Sequence, residues 1–401
     1  MSVSAAKGFR AAGAHVGIKP SGNPDLAVVA TLDGRPVPAA GVFTTNLATA
    51  PPVLVSRQHL RASGGTAAAI VLSSGNANAA TGAAGRRDAE RMCELTAKAI
   101  GADPGDVLVC STGLIGIPLP MDVLETGIPE VAGALATGDA AGAAAARGIM
   151  TTDTVPKTAA ATVDLAGPAI TVGGMAKGAG MIAPAMATML ATVTTDADVA
   201  PAVLQRLLTD AVDRSFNRLS VDGCTSTNDT VLVLASGAAG GPRIDAVGGA
   251  AYHALADALT AVCASLAEQI ARDAEGVTKL VRVEVVGARS DAEAARAARA
   301  VADSLLVKCS WFGEDPYWGR ILSELGASGS FLDPDLVSIA YGGIVVCEQG
   351  ITAPHDADAV AAVMRQRELV VTADLGLGSG EADVLSTDLG YGYIDENKGT
   401  S

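Results

Sequence analysis

Aromatic side chains are scarce: Phe, Tyr and Trp together make up only 3% of a 401-residue chain that is 49% hydrophobic. Its core must therefore be built from Ala, Val, Leu and Ile, with little large-ring packing. Histidine occurs only four times, at His15, His59, His253 and His355, too dispersed to form a metal-ligand spacing. The six cysteines, Cys93, Cys110, Cys224, Cys263, Cys309 and Cys347, include no CxxC pair and read as buried thiols of a reducing compartment. Basic charge is in deficit, 28 Lys and Arg against 43 Asp and Glu, a net −15 that argues against a nucleic-acid surface. Residues Met1 to Pro20 lack the apolar stretch of a secretory signal, so a cytoplasmic location is expected. The uncharged run from Gly178 to Thr195 contains Pro184, glycines and threonines, and makes a poor membrane span.

What the chain does have is interleaved periodicity. Ala89, Met92, Cys93, Thr96 and Ile100 share a helical face ending at Gly101. A second face, Leu204, Leu207, Leu208, Ala211 and Val212, follows Pro201, and Leu255, Leu259, Val262, Leu266 and Ile270 mark a third. Strand-like runs cover Asp25 to Leu32, Ala69 to Leu72, Val107 to Cys110, Thr188 to Thr194, Thr230 to Ala235 and Lys279 to Val286. The alternation predicts a layered α/β or α+β sandwich of β-sheets flanked by helices. Alanine-rich Val131 to Arg147 is expected to be a surface helix.

One stretch carries chemistry. Lys177-Gly178-Ala179-Gly180-Met181-Ile182-Ala183-Pro184-Ala185-Met186-Ala187-Thr188-Met189-Leu190 leads a lysine and a glycine-rich loop into a threonine preceded by alanine. Locally this also reads as a tight turn entering a strand. Cleavage of the Ala187–Thr188 bond, however, would give Thr188 a free α-amine, a built-in base of pKa roughly 8 for its own hydroxyl. The loop lacks the GxxxxGK[ST] and GxGxxG spacings of phosphate cradles.

With Gly173-Gly174-Met175-Ala176 in front, this stretch resembles the self-cleaving site of the ornithine acetyltransferases, also called glutamate N-acetyltransferases. Further segments resemble the same family: Gly8-Phe9-Arg10-Ala11-Ala12-Gly13, Gly41-Val42-Phe43-Thr44-Thr45-Asn46, Ser74-Gly75-Asn76-Ala77-Asn78-Ala79, Ser111-Thr112-Gly113-Leu114-Ile115-Gly116 and Met150-Thr151-Thr152-Asp153-Thr154. Toward the C-terminus come Val221-Asp222-Gly223, Ser226-Thr227-Asn228-Asp229-Thr230, Asp273-Ala274-Glu275-Gly276-Val277-Thr278-Lys279 and Phe312-Gly313-Glu314-Asp315-Pro316.

The resemblance implies an N-terminal-nucleophile-type fold and an α-chain of 1–187 entwined with a β-chain of 188–401, pairing into an α2β2 heterotetramer. It implies Thr188 as nucleophile, with Ala187 the residue before the cut, and Thr112 and Gly113 as the oxyanion hole. Thr151, Thr152, Lys177, Thr188, Glu275, Asn397 and Ser401 would contact substrate; which of the two threonines points inward is open. The spacing from Asn397 to the terminus is one residue shorter than the family pattern. Where many relatives carry an acidic residue this chain has Cys224, to which no role is assigned. The implied reaction takes acetyl from N2-acetyl-L-ornithine to L-glutamate, the cyclic step of arginine biosynthesis, with no metal or cofactor, acetyl-CoA being a candidate second donor. Rival readings are a paralogous acetyltransferase of a secondary-metabolite pathway, an N-terminal-nucleophile amidase or aminopeptidase, and an uncleaved amino-acid-binding protein.

Overall fold

The computed structural model describes residues 1–164, 167–182 and 189–399. These fall into two compact units. One holds Met1 to Gly178 with 189–217 and Thr225–Ile270, the other 179–182, Arg218–Cys224 and the chain from Ala271 onward.

The larger unit is built on two sheets. In the first, Phe9–Ala14, Leu26–Thr31 and Ala69–Asn76 are antiparallel neighbours, and Val107–Leu114 pairs in parallel with Ala69–Asn76. In the second the order is Thr66–Ala67, Val37–Phe43, Thr230–Ala235, Leu190–Thr195, Ala169–Lys177 and Lys157–Asp164. Leu190–Thr195 lies parallel to Thr230–Ala235 and antiparallel to Ala169–Lys177, so residues on both sides of position 188 share one sheet.

The two sheets face each other across a dry layer of Phe9, Val29, Ile70, Leu72 and Leu108 from one and Met175, Leu190, Leu232 and Leu234 from the other. Because the central strands are buried on both sides they read as continuous apolar runs rather than alternation. On the outer face of the first sheet, Leu26, Val28, Val71 and Val109 meet Met92 and Cys93 of the helix Gly82–Ile100 and Leu124 and Ile128 of the helix Met121–Gly133. That first helix ends at Gly101 with φ 75°, the left-handed cap expected of a terminal glycine. On the outer face of the second sheet the helix Ala250–Arg272 packs close, with Val262 and Leu266 within about 3.0 Å of where a Cβ on Gly174 would stand. Ala250–Arg272 is long and apolar enough to cross a membrane, but half of its apolar window is buried, and Leu255, Leu259, Leu266 and Ile270 have no exposed surface beyond 1%. It reads as a core helix.

The smaller unit is one seven-stranded sheet in the order Leu219–Ser220, Gly380–Thr387, Leu280–Ala288, Glu368–Asp374, Ser338–Tyr341, Ile344–Glu348 and Ile351–Thr352. Val281, Val283 and Val285 point into a core shared with the helices Asp291–Asp303, Leu305–Phe312, Gly319–Ala327 and Ala357–Met364. Arg282, from the opposite face, pairs with Asp383 at 2.5 Å, as the alternation predicts.

Two expectations are corrected. Val131 to Arg147 is not one surface helix: Met121–Gly133 ends inside it, Gly138 adopts φ 91°, and a new helix runs Asp139–Gly148. Between them Ala136 bridges to Ala11 of the first sheet, and Ala145 and Ala146 are 0% exposed. The alanines serve close approach: a Cβ on Gly13 would lie 2.2 Å from the Ala144 carbonyl oxygen, and one on Gly148 would lie 2.5 Å from that of Leu26. The cysteines are not uniformly buried either, since Cys224 and Cys309 are exposed. Cys224 follows Gly223 (φ 73°) in a loop, and Cys309 sits on the solvent side of a helix whose Val307 and Trp311 face the core. Burial pushes the Cys110 and Cys263 thiols up to about 12, so these behave as small apolar groups.

Replacing Ala146 by leucine is expected to lower stability by about 1–3 kcal/mol through overpacking, with the exposed Ala140→Leu near neutral. Urea-unfolding midpoints of the two variants check this; equal midpoints would show that the segment is peripheral.

Candidate active site

The strand Val107–Leu114 delivers Thr112 and Gly113 at its C-terminal end, against Ser74 and Gly75 of its parallel neighbour. Only glycine fits at 113. Its φ is 130°, and a Cβ would stand 2.3 Å from the Gly75 carbonyl carbon.

Thr112 is buried, and its Oγ1 receives the Lys177 ammonium at 3.4 Å. An ammonium only donates, so the Thr112 oxygen accepts there and its own hydrogen is left to donate elsewhere. Lys177 ends the strand Ala169–Lys177 and is itself buried.

A buried carboxylate organises these groups. Asp153 accepts from the Lys157 ammonium at 2.5 Å, the Gly178 N–H at 2.7 Å and the Thr151 N–H at 2.9 Å, and lies 4.0 Å from Lys177. Burial alone would raise its pKa, but Lys177, Lys157 and the Gly178 N–H outweigh that and hold it at about 2. Thr151 and Thr152, both half-buried, immediately precede it. A third lysine, Lys19, donates to the carbonyls of Pro24 and Met150 at 2.7 and 2.5 Å, and burial lowers its pKa to about 8 against the pull of Asp25. Asp25 in turn gathers the N–H groups of Val16, Gly17, Ile18 and Lys19. Thr112, Gly113, Thr151, Thr152 and Lys177 are thus brought together in one unit.

The segment 222–230 is rich in hydrogen-bonded turns. In the larger unit Asn228 donates to the carbonyls of Ala77 and Ser111, fixing the residue before Thr112. In the smaller unit Asp222 accepts from Ile182 N–H at 2.8 Å, Cys224 N–H at 3.0 Å and Tyr393 OH at 3.2 Å.

Glu275 and Asn397 also meet in the smaller unit, the Asn397 amide donating to Glu275 Oε2 at 2.8 Å. The Glu275 N–H donates to the Ala179 carbonyl at 2.9 Å, and its carboxylate lies over Gly180, where a Cβ would come within 2.3 Å. Ala187, Thr188 and Ser401 lie outside the described residues. Sequence reasoning missed Asp153, Lys157 and Lys19 as charge partners; the Asp153/Lys157 spacing was the one available signal.

The ArgJ family model matches residues 10–399. The chain belongs to the ArgJ family. Among its relatives, the arginine biosynthesis bifunctional protein ArgJ of Symbiobacterium thermophilum is 50% identical over 395 residues, covering 98% of this chain and 97% of that protein. The protein of the same name from Streptomyces coelicolor is 46% identical over 402 residues and covers 100% of both. A solved chain of ornithine acetyltransferase from Mycobacterium tuberculosis, complexed with ornithine, is 43% identical, covers 46% of this chain and 94% of its own, and aligns with a TM-score of 0.41.

For this ArgJ-family chain, Asp153→Asn is expected to cost about 3–5 kcal/mol, because it leaves Lys157 buried without its counter-charge. The carboxylate is held below its ordinary value, so its contribution is complete above about pH 4 and is lost as pH falls through about 2. Unfolding midpoints at neutral and acid pH check both statements; an asparagine variant with wild-type stability at pH 7 would contradict them.

Proposed function

We propose that this chain is the acetyltransferase of cyclic arginine biosynthesis that moves acetyl from N2-acetyl-L-ornithine to L-glutamate by a ping-pong route through Thr188. Membership of the ArgJ family over nearly the whole length supports the activity. The single geometric observation that carries the mechanism is the Thr112–Gly113 pair with Lys177 behind it.

In this reading the chain cuts itself between Ala187 and Thr188, giving an α-chain of 1–187 and a β-chain of 188–401. The Thr188 α-amine then takes the hydroxyl proton as the oxygen attacks the acetyl carbonyl of N-acetylornithine. Negative charge develops on that carbonyl oxygen, and the Gly113 N–H and the Thr112 hydroxyl meet it. The Lys177 ammonium polarises the Thr112 hydroxyl and draws the substrate carboxylate. Ornithine leaves, and the glutamate α-amine takes the acetyl group from Thr188. Thr151 or Thr152, Lys177, Glu275, Asn397 and Ser401 contact substrate, Glu275 answering the cationic amine. The chemistry calls for no metal or organic cofactor; acetyl-CoA is a further donor only if the pocket admits it. An α2β2 assembly in the cytoplasm belongs to the same reading.

Thr112→Ala is expected to lower kcat about 100 to 1000-fold by removing one oxyanion donor, and Thr188→Ala to abolish transfer. Ping-pong transfer also requires the enzyme to exchange labelled ornithine into N-acetylornithine with no glutamate present. Exchange that needs glutamate would exclude the acetyl-enzyme, and acetate release that glutamate does not divert would mark an amidase.

A further inference from the structure

The proposed transfer takes two substrates of opposite side-chain charge through one site. N-acetylornithine carries a single carboxylate and a side-chain ammonium. Glutamate, with its α-amine deprotonated for attack, carries two carboxylates and no positive charge. Lys177 has been assigned the substrate carboxylate and Glu275 the cationic amine, which leaves the side-chain carboxylate of glutamate without a partner.

Lys19 has the placement and the charge for it. Its aliphatic stem lies across the end of the strand Ala69–Asn76: from where a Cβ on Gly75 would stand, Lys19 Cγ is 2.9 Å away and Cε 3.7 Å. Gly75 is the register partner of Gly113, so the lysine runs beside the strand end that carries Thr112 and Gly113. At the tip, the ammonium donates to the carbonyls of Pro24 at 2.7 Å and Met150 at 2.5 Å, against the residue that leads into Thr151 and Thr152. Both acceptors are neutral, and Lys19 makes no ion pair among the described residues. An ammonium has three N–H groups, so two carbonyls leave one for a ligand.

The two carboxylates whose charge acts on Lys19, Asp25 and Asp153, are engaged elsewhere. Asp25 accepts the N–H groups of Val16, Gly17, Ile18 and Lys19 and lies 2.9 Å from the His15 ring. Asp153 serves Lys157, Gly178 and Thr151. Burial lowers the Lys19 pKa to about 8 against the pull of both acids, with Lys177 adding to the fall. An arriving carboxylate favours the charged form and opposes that shift. Bracing the backbone does not account for a lysine here. Two carbonyls are met as well by an amide, as Asn228 meets those of Ala77 and Ser111, without taking a charge out of water.

We propose that Lys19 is the residue that selects glutamate over uncharged acceptors, its ammonium receiving the side-chain carboxylate. This rests on the reading of glutamate as the acetyl acceptor. Lys19 thereby adds a specificity contact that N-acetylornithine, with a cationic side chain, does not use.

The test compares glutamate with glutamine as acceptors of acetyl from N-acetylornithine, glutamine being the same molecule with the side-chain charge removed. The wild-type enzyme is expected to favour glutamate in kcat/KM by about 10 to 100-fold, the usual contribution of a hydrogen bond to a charged group. Lys19→Gln keeps two donors for the Pro24 and Met150 carbonyls, and is expected to lose most of that preference through a raised KM for glutamate. Lys19→Arg, which keeps the charge, is expected to recover much of it; Lys19→Met is the second uncharged variant should glutamine at 19 impair folding, which a Tm measurement reports. Equal losses for the two acceptors in both uncharged variants would make Lys19 a brace of the Met150 turn and overturn the proposal, as would a wild-type enzyme indifferent to the two acceptors. Exchange of labelled ornithine by the wild type separates the two readings. Where exchange proceeds, an unaltered glutamate preference in the variants overturns the role of Lys19 alone; a wild type that neither exchanges ornithine nor acetylates glutamate overturns both.

Discussion

The buried carboxylate of Asp153 is the constraint from which the rest of the site follows. It is the shared counter-charge for Lys157 and Lys177 and it fixes the backbone at Gly178 and Thr151. Two ammonium groups taken from water into a sheet-against-sheet interior are tolerable only with such a partner. Once Lys177 is held there, its reach to Thr112 follows, and so does the direction in which the Thr112 hydroxyl is left to donate. The glycine at 113 completes the pair for a separate, steric reason, the contact with Gly75. Electrostatics orients the Thr112 hydroxyl, and backbone crowding requires the glycine beside it.

Asp229 and Asn228 are neighbours in one loop, yet one ties down Met189 and the other Ser111, so the same turn braces the start of the strand Leu190–Thr195 and the end of the strand Val107–Leu114.

Much of this was legible in the sequence, and the exceptions have physical causes. Helices with a single buried stripe, such as Leu204, Leu207, Leu208, Ala211 and Val212, announce themselves because burial repeats with the helical period. The alternation of Val281, Val283 and Val285 with Arg282 and Glu284 fixes a strand with one wet face. Thr112, Gly113 and Lys177 were singled out through their motifs, and the structure gathers them in one unit. Val131 to Arg147 misled because alanine composition says nothing about which backbone comes close; only the contact of Ala144 with Gly13 reveals a buried helix. Asp153 was passed over as one member of a motif, since its importance lies in groups brought together by sheet register rather than by sequence spacing. Asp229 was hidden for the same reason, its partner Met189 being set by the parallel pairing of Leu190–Thr195 with Thr230–Ala235.

The most direct test of the central claim, a threonine that frees itself and then carries acetyl, is the denaturing intact mass of the purified protein before and after N-acetylornithine. The account predicts two chains meeting at Ala187 and Thr188, the second gaining one acetyl group that glutamate removes. A single unmodified chain under both conditions would contradict it and leave an amino-acid-binding pocket without chemistry.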